Sequence, residues 1–218
     1  MAEIIIFDWD GTLVDSTGRI VDCVHRSADL VGVSPVTDQQ AKHIIGLGLP
    51  EAIRTLWPDI NSENHAAMCQ AYAKFFSEGS EIGVSFYKGV PEFLQKLKNM
   101  GLLLGVATGK TRKGLDAMIT DMDVEGVFDI TRCADETCSK PHPQMLSEIL
   151  DEHKLQAERA LMIGDTTYDL EMAYRISMPS IGMLYGAHER EMLERWAPKA
   201  LCHNVSELET FIENYLNA

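Results

Sequence analysis

The chain has 218 residues, of which 45% are hydrophobic and 24% are charged. This length allows one large core with a small accessory domain, and the composition is that of an ordinary globular protein. No apolar run approaches the roughly 20 residues of a membrane span. The net charge of -14 opposes binding to nucleic acid polymers and anionic membranes, because both are polyanions. A small anionic substrate is still compatible with this charge, provided that a metal ion and a few basic groups make the electrostatic potential positive at the site.

The cysteines and the N-terminus indicate the compartment. Five cysteines without a CxxC pair favour neither a disulfide framework nor a thiolate zinc site. The N-terminal sequence MAEIIIFDWDG has no basic start and turns acidic directly after its apolar residues, unlike a secretory signal peptide. We therefore expect reduced thiols and a cytoplasmic location, while the oligomeric state is left open.

Short apolar runs recur along the chain and are separated by stretches with helical spacing. The first run ends abruptly at Asp8, as a buried parallel strand would. Strands that alternate with helices in this way predict an α/β protein with a doubly wound parallel sheet. The predicted strands cover residues 4–7, 102–107, 128–133, 161–163 and 180–183.

The strand pattern is interrupted near the N-terminus by a long helical region. Apolar residues recur there with helical spacing, which predicts an all-helical domain over residues 15–83. This domain would be inserted into a catalytic core made of residues 1–14 and 84–218. The polar, glycine-containing segment 77–85 is predicted to be a hinge. The sequence therefore predicts a helical lid over the end of the first strand.

Two carboxylates follow the first predicted strand. Asp8 and Asp10 are two residues apart, so strand alternation points both side chains to the same side. The carboxyl edge of an open α/β sheet is where ligands bind. A surface turn shows the same short pattern, so this pair alone does not define a site.

Three further motifs place polar groups next to predicted strands or helices. Thr108 and the backbone N–H of Gly109 meet the start of a helix, an arrangement that suits phosphate but also matches a simple helix cap. Lys140 precedes a helix that begins with proline. Asp165 ends a strand, and Asp169 lies on the first turn of the next helix. Acidic residues are also common in a first helical turn simply because they interact favourably with the helix dipole.

Together, the four motifs resemble those of the haloacid dehalogenase superfamily, in the family's order and over residues 3 to about 206. Within it they resemble phosphoglycolate phosphatase-like hydrolases, which have a Rossmann-like core and a helical cap inserted after the first motif. The resemblance implies a phosphatase that forms an aspartyl-phosphate on Asp8, with Asp10 as the general acid and base. It also implies that Thr108, Gly109 and Lys140 hold the phosphoryl oxygens. The motifs are DWDGTLVDS, ATGK, SKPHP and GDTTYDLEMA.

A metal ion follows from the crowding of carboxylates that the resemblance implies. Oxygen ligands without clustered His or Cys favour Mg²⁺. By the family pattern, the ligands are Asp8, the backbone carbonyl of Asp10 and Asp165, while Asp169 supports them from outside the ligand set. Lys110, Arg112 and Lys113 follow the second motif and could draw anions toward the site, although a solvated basic helix start is the favoured interpretation.

Substrate choice is expected to depend on the cap. Residues 45–51, IGLGLPE, resemble the family's substrate-facing loop, with Gly46, Leu47 and Gly48 as candidate specificity residues. An ordinary turn between helices matches this pattern equally. If the loop covers the site, its glycines leave little room for a bulky leaving group, which favours a small phosphorylated metabolite such as phosphoglycolate.

Several other functions are compatible with parts of this pattern. A sugar phosphate, a nucleotide or pyrophosphate would suit the same core, and a sugar phosphomutase would use Asp10 similarly. A phospho-accepting receiver domain of a signalling protein also combines carboxylates, a threonine and a lysine on a parallel sheet. The order of the motifs and the helical insertion disfavour a receiver, because there the acceptor does not end the first strand.

Overall fold

A six-stranded parallel sheet forms the core of the computed structural model, which describes residues 2–79 and 81–217. The first strand is central, and its short apolar run is fully buried because both of its faces are covered by helices. The first part of the chain contains β1 (Ile4–Phe7), β2 (Val14–Asp15), α1 (Thr17–Val31), α2 (Asp38–His43), α3 (Leu49–Leu56), α4 (Ser62–Glu78) and β3 (Ser85–Phe86).

The rest of the chain alternates helices and strands. The strand order is β5-β4-β1-β6-β7-β8, so the sheet grows outward from β1 in both directions. The doubly wound α/β class predicted from the sequence is confirmed. These elements are α5 (Val90–Asn99), β4 (Leu103–Thr108), α6 (Arg112–Asp121), β5 (Ile130–Cys133), α7 (Gln144–His153), a 3-10 turn (Ala157–Arg159), β6 (Ala160–Gly164), α8 (Thr167–Arg175), β7 (Ser180–Met183), α9 (Arg190–Glu194), β8 (Ala200–Cys202) and α10 (Val205–Asn217).

Alternation along β1 divides the core into two layers. Ile5 and Phe7 pack with α5 and α10 on one face of the sheet, and Ile4 and Ile6 pack with α7 and α8 on the other. Burying side chains of this size stabilises the fold by about 1.5–3 kcal/mol each. The central strand is thereby held firmly, and so is the loop that follows it.

Four helices, α1 to α4, lie between β2 and β3, which pair with each other as a short antiparallel ribbon. The helices have apolar clusters of their own, in which Ala28, Ile53 and Met68 are buried. The domain limits at residues 15 and 83 stay a prediction. The predicted hinge, 77–85, includes residue 80, which lies outside the described residues.

The predicted strands agree with the observed ones to within two residues at each end. The edge strand β8 was missed because it has only three residues and no long apolar run, and the ribbon of β2 and β3 was missed for the same reason. Among the described residues, no helix is long and apolar enough to cross a membrane.

Candidate active site

The candidate site lies where β1, β4 and β6 end at the carboxyl edge of the sheet. Asp8 directly follows β1, and its N–H donates to the carbonyl of Ile163 over 2.9 Å. Trp9 is buried in the apolar core, with its ring centroid 5.8 Å from that of Phe128. Asp8 and Asp10, on either side of it, are 1% and 7% exposed. The core anchor at Trp9 therefore fixes the backbone that carries both carboxylates.

Three buried carboxylates come together at this edge. Ligand oxygens of Asp8, Asp165 and Asp169 all lie within 4.8 Å of one another. The backbone around them has no room for other side chains: a Cβ added at Gly164 would lie 2.3 Å from the Asp169 Cβ, and one at Gly186 would lie 2.1 Å from Asp165 Oδ2. The carboxylates can therefore come this close together only because both positions are glycine.

Lys140 lies inside this cluster. Its ammonium group donates to Asp8 Oδ1 over 2.7 Å and to Asp169 Oδ1 over 2.6 Å, and its side chain is fully buried. Burial alone would lower the lysine pKa, but the carboxylates of Asp169 and Asp8 outweigh it and raise that pKa. Lys140 therefore stays positively charged at neutral pH.

The oxygens of the other two carboxylates are occupied. Asp165 accepts from the Thr12 hydroxyl and from the N–H of Ala187, each over 2.7 Å. The second oxygen of Asp169 accepts from the hydroxyl of Thr166 over 2.7 Å. By contrast, Asp8 Oδ2 is buried without a hydrogen-bond partner among the described residues. An unsatisfied buried oxygen of this kind marks a place for a ligand or an ion.

The crowding of buried carboxylates raises the pKa values of two of them. Burial, together with the charges of Asp169 and Asp165, raises the pKa of Asp8 well above its ordinary value, although Lys140 opposes the shift. Burial and the neighbouring Asp169 raise the pKa of Asp165 to about 7. A divalent cation would neutralise these charges, so the residues present fit an oxygen-ligated metal ion.

The second motif lies beside this cluster at the end of β4. Thr108 is fully buried, and its hydroxyl accepts from the N–H of Lys110 over 3.1 Å. A Cβ added at Gly109 would lie 2.5 Å from the carbonyl oxygen of Leu47. Only glycine allows the helical domain to approach the turn this closely.

Lys110 differs from the sequence expectation. Its ammonium lies 3.0 Å from Asp10 Oδ1, and both side chains are only 10% exposed. It also lies 4.3 Å from the centre of the Phe76 ring in α4. The expectation of a solvated position is therefore wrong for Lys110, because a carboxylate and an aromatic face both attract the ammonium into the site. Ser16 completes this arrangement by donating to Asp10 Oδ1 over 2.6 Å.

The loop at residues 45–51 lies against the sheet edge rather than forming a distant turn. A Cβ added at Gly46, whose φ is +96°, would lie 3.1 Å from Thr166 Oγ1. The Leu47 carbonyl oxygen packs closely against Gly109, and the N–H of Gly48 donates to Ser139 Oγ over 2.8 Å. The three candidate specificity residues therefore contact the second, third and fourth motifs.

Next to this loop, the helical domain also contacts the core through aromatic side chains. The His43 carbonyl, at the end of α2, accepts from the Tyr168 hydroxyl over 2.9 Å and from His188 Nε2 over 3.1 Å. The His188 Nδ1 accepts from the N–H of Thr167, so Nε2 carries the ring proton. The His43 and His188 rings stack with centroids 4.9 Å apart. We call His43, Tyr168 and His188 the latch.

Some residues of the site were not recognised in the sequence. Thr12 and Ser16 lie within the first motif, DWDGTLVDS, whose polar positions could have indicated them. Gly186 and Ala187 carry no such signal, because only the folding of the loop after β7 brings them to Asp165.

Comparison with known proteins agrees with this geometry. The model of the haloacid dehalogenase-like hydrolase family matches residues 5–183. The probable phosphatase IndB of Dickeya dadantii is 32% identical over 95% of this chain and 92% of that protein. A phosphoglycolate phosphatase of Vibrio cholerae is 26% identical over 94% of this chain and 95% of its own. The crystal structure of a hydrolase from Pseudomonas syringae superposes with a TM-score of 0.89 at 20% identity, covering 98% of this chain and 99% of that one.

The chain therefore belongs to the haloacid dehalogenase-like hydrolase family, and it is an enzyme of that family's phosphatase class. Phosphatases of this family generally use a divalent metal ion, and the buried acidic cluster fits one. The resemblance drawn from the four motifs is confirmed.

Proposed function

We propose that this enzyme hydrolyses phosphate monoesters of small metabolites through an aspartyl-phosphate on Asp8, with Mg²⁺ bound. The observation that supports the proposal most directly is the hydrogen bonding of the two Asp8 carboxylate oxygens. Lys140 holds Oδ1 at 2.7 Å, and Oδ2 is buried without a partner in the described part of the chain. One oxygen is thus fixed in place while the other is left to react.

The reaction begins with attack of Asp8 Oδ2 on phosphorus. The bond from phosphorus to the leaving alcohol breaks as the bond to Asp8 forms, and water later cleaves the aspartyl-phosphate to release phosphate. A carboxylate is a weak nucleophile, so the negative charge on the transferring oxygens must be neutralised. Lys140 supplies one positive charge, and the Thr108 hydroxyl and the Gly109 N–H supply hydrogen bonds.

Asp10 is the proposed general acid and base. It gives a proton to the leaving oxygen in the first step and takes one from the attacking water in the second. Ser16 and Lys110 contact its Oδ1 at 2.6 and 3.0 Å. These contacts support a positioning role for both, because they hold the carboxyl group in one orientation before the substrate binds.

The proposed metal ligands are Asp8, the backbone carbonyl of Asp10 and Asp165. When bound, Mg²⁺ neutralises charge on the transferring phosphoryl group and reduces repulsion between the carboxylates. Asp169 is proposed to lie outside the ligand set, because the Lys140 ammonium, itself a cation, already binds its Oδ1. Within the part of the chain that the structure describes, Asp165 accepts only from neutral donors, the Thr12 hydroxyl and the Ala187 N–H. The role of Asp169 is to orient Lys140.

The substrate is proposed to be a small phosphorylated metabolite selected under the loop of Gly46, Leu47 and Gly48. Phosphoglycolate is the ester with which other substrates are compared, since relatives such as that of Vibrio cholerae carry it in their name. A cytoplasmic location is proposed as well. It is supported by the five cysteines, none of which forms a disulfide.

The variant Asp8→Asn tests the mechanism. It removes the nucleophile's charge without changing its size, so we expect kcat for p-nitrophenyl phosphate to fall by about 10³-fold or more. Trapping with labelled substrate should detect no phosphoenzyme. The metal-free variant should also unfold at a higher temperature than the wild type, because one of the repelling carboxylates is gone.

Asp151→Asn is the matched control, since Asp151 is an exposed residue on α7. It should keep wild-type kcat and phosphoenzyme formation. Substantial activity in Asp8→Asn would disprove the role of Asp8. Transfer of the phosphoryl group to a second sugar hydroxyl, instead of release of phosphate, would indicate a phosphomutase.

A further inference from the structure

A cavity of about 790 Å³ opens from the candidate site into the space between the helical domain and α6. Asp10, Gly109 and Lys110 line it, and it then continues past apolar side chains of α1 and α4. Because Asp10 is proposed to protonate the leaving oxygen, the cavity lies on the leaving-group side of the site. We call it the leaving-group chamber.

The inner walls of the chamber are apolar. Leu47 and Leu49 line it from the helical domain and are partly exposed. The rings of Tyr72 and Phe76, stacked with centroids 6.0 Å apart, add an aromatic wall. Met118 lines it from α6 on the core side. Flexible thioethers and stacked rings form surfaces that suit an apolar or aromatic ligand group.

Four cations also line the chamber: Arg19, Lys74, Lys110 and Lys113. Arg19 donates to the carbonyl oxygens of Ile82 and Phe76 over 2.9 and 3.2 Å. Lys110 is paired with Asp10 at 3.0 Å. Because guanidinium and ammonium groups each have several N–H donors, these contacts leave donors unused. The apolar walls and the volume of the chamber, rather than these charges, therefore define the group that it favours.

We infer that the preferred substrate is a phosphate monoester whose alcohol carries an apolar, ring-sized group. This inference rests on the proposed function, because it takes Asp10 as the leaving-group acid. The chamber volume of about 790 Å³ falls within the roughly 300–1,000 Å³ typical of ligand cavities. It far exceeds the space that a two-carbon hydroxy acid fills, so glycolate would leave the apolar walls in contact with water.

A matched set of substrates tests the inference on the Mg²⁺-loaded enzyme. 2-Phenylethyl phosphate and ethyl phosphate both release a primary alcohol, so their chemical reactivity is similar and they differ chiefly by the ring. We expect kcat/KM to be at least about tenfold higher for 2-phenylethyl phosphate than for ethyl phosphate or phosphoglycolate. A kcat/KM for phosphoglycolate or ethyl phosphate that equals or exceeds that of the ring-bearing ester would overturn the inference.

Variants that fill the chamber provide a second readout. Ala117 on α6 and Ala73 on α4 both line the chamber, and both are exposed, so a larger side chain should not prevent folding. In Ala117→Trp and in Ala73→Trp, the ratio of kcat/KM for 2-phenylethyl over ethyl phosphate should fall at least about fivefold. Met100→Trp, at an exposed position outside the chamber, should keep the wild-type ratio. An unchanged ratio in both chamber variants would contradict the inference.

Different results would disprove the proposed function and the inference about the leaving group. If the enzyme hydrolyses neither these esters nor p-nitrophenyl phosphate, or if Asp8→Asn keeps full activity, the proposed function is wrong. If hydrolysis depends on Asp8 but shows no preference for the ring, the mechanism stands and only the assignment of the leaving group is wrong.

Discussion

At the scale of single residues, the site depends on glycines as much as on its charged groups. Gly11 and Gly186 both face Asp165, and a Cβ on either would lie 2.2 or 2.1 Å from its Oδ2. Contacts this short cannot exist, so a side chain at either position would force the carboxylate to move. The orientation of a metal-binding carboxylate is set by such neighbours.

We expect Gly186→Ala to weaken metal binding. The added methyl group should displace Asp165 from the cluster and raise the Mg²⁺ concentration needed for half-maximal activity by about 10–100-fold. Titration of activity with Mg²⁺ measures this shift. Gly83→Ala is the control, because nothing lies within 4 Å of a Cβ added at Gly83. An equal metal requirement in Gly186→Ala and the wild type would contradict the proposed role of Asp165.

At the scale of elements, the loop at residues 45–51 and the latch hold the helical domain against the carboxyl edge of the sheet. The loop contacts the turn at Gly109 and the start of α8, and the latch joins the end of α2 to Tyr168 and His188. Burial lowers the pKa of His188, so its ring is neutral at physiological pH. Closure of this domain would exclude water from the phosphoryl group during transfer.

We expect Gly46→Ala to reduce activity more than its effect on stability explains. The φ of +96° at Gly46 strains any other residue, and the new Cβ would press on Thr166 Oγ1 at 3.1 Å. Closure should be hindered, lowering kcat/KM by about tenfold, while the strain costs about 1–2 kcal/mol of folding free energy. Steady-state kinetics and denaturant unfolding measure the two effects separately.

Gly126→Ala is the control that separates the effect of backbone strain from that of the contact with Thr166. Gly126 also has a positive φ, +77°, but nothing lies within 4 Å of a Cβ added there. It should lose a similar amount of stability and keep wild-type kcat/KM. If both variants lost activity equally, the loop would have no specific part in closure.

At the scale of the whole molecule, a chain with a net charge of -14 folds around a buried group of carboxylates. The folded protein binds protons at Asp8 and Asp165 more tightly than the unfolded chain, because burial and neighbouring charges raise both pKa values. The ordinary Asp pKa is about 3.9. The stability contributed by these protonated groups is therefore complete below that pH and is lost as the pH rises through the raised folded values, about 7 for Asp165.

Metal-free protein should accordingly lose stability between pH 5 and pH 8, and Mg²⁺ should restore it. We expect the increase in Tm on adding Mg²⁺ to be larger at pH 8 than at pH 5, because the metal competes with protons for the same oxygens. Thermal unfolding with and without Mg²⁺ at both pH values measures this. In Asp165→Asn the pH dependence and the metal effect should both shrink. Equal metal effects at the two pH values would argue against the carboxylate cluster as the binding site.

The class of the protein could be predicted from short local patterns in the sequence. The short apolar runs predicted the parallel strands because a strand covered on both faces must be apolar along its whole length. The residues directly after those runs then had to meet at one edge of the sheet. Asp8, Thr108 and Asp165 could be placed together in this way, since each depends only on its position relative to a strand.

The arrangement of these groups, and what surrounds them, depends on the tertiary structure. The bonds of Lys140 to Asp8 and Asp169, the pairing of Lys110 with Asp10 and the chamber under the helical domain all join segments far apart in the chain. Local patterns determine strands and helices, because those depend on near neighbours. They do not determine how far one domain reaches over another, because that depends on packing between distant surfaces, and this packing shapes the space that the leaving group enters.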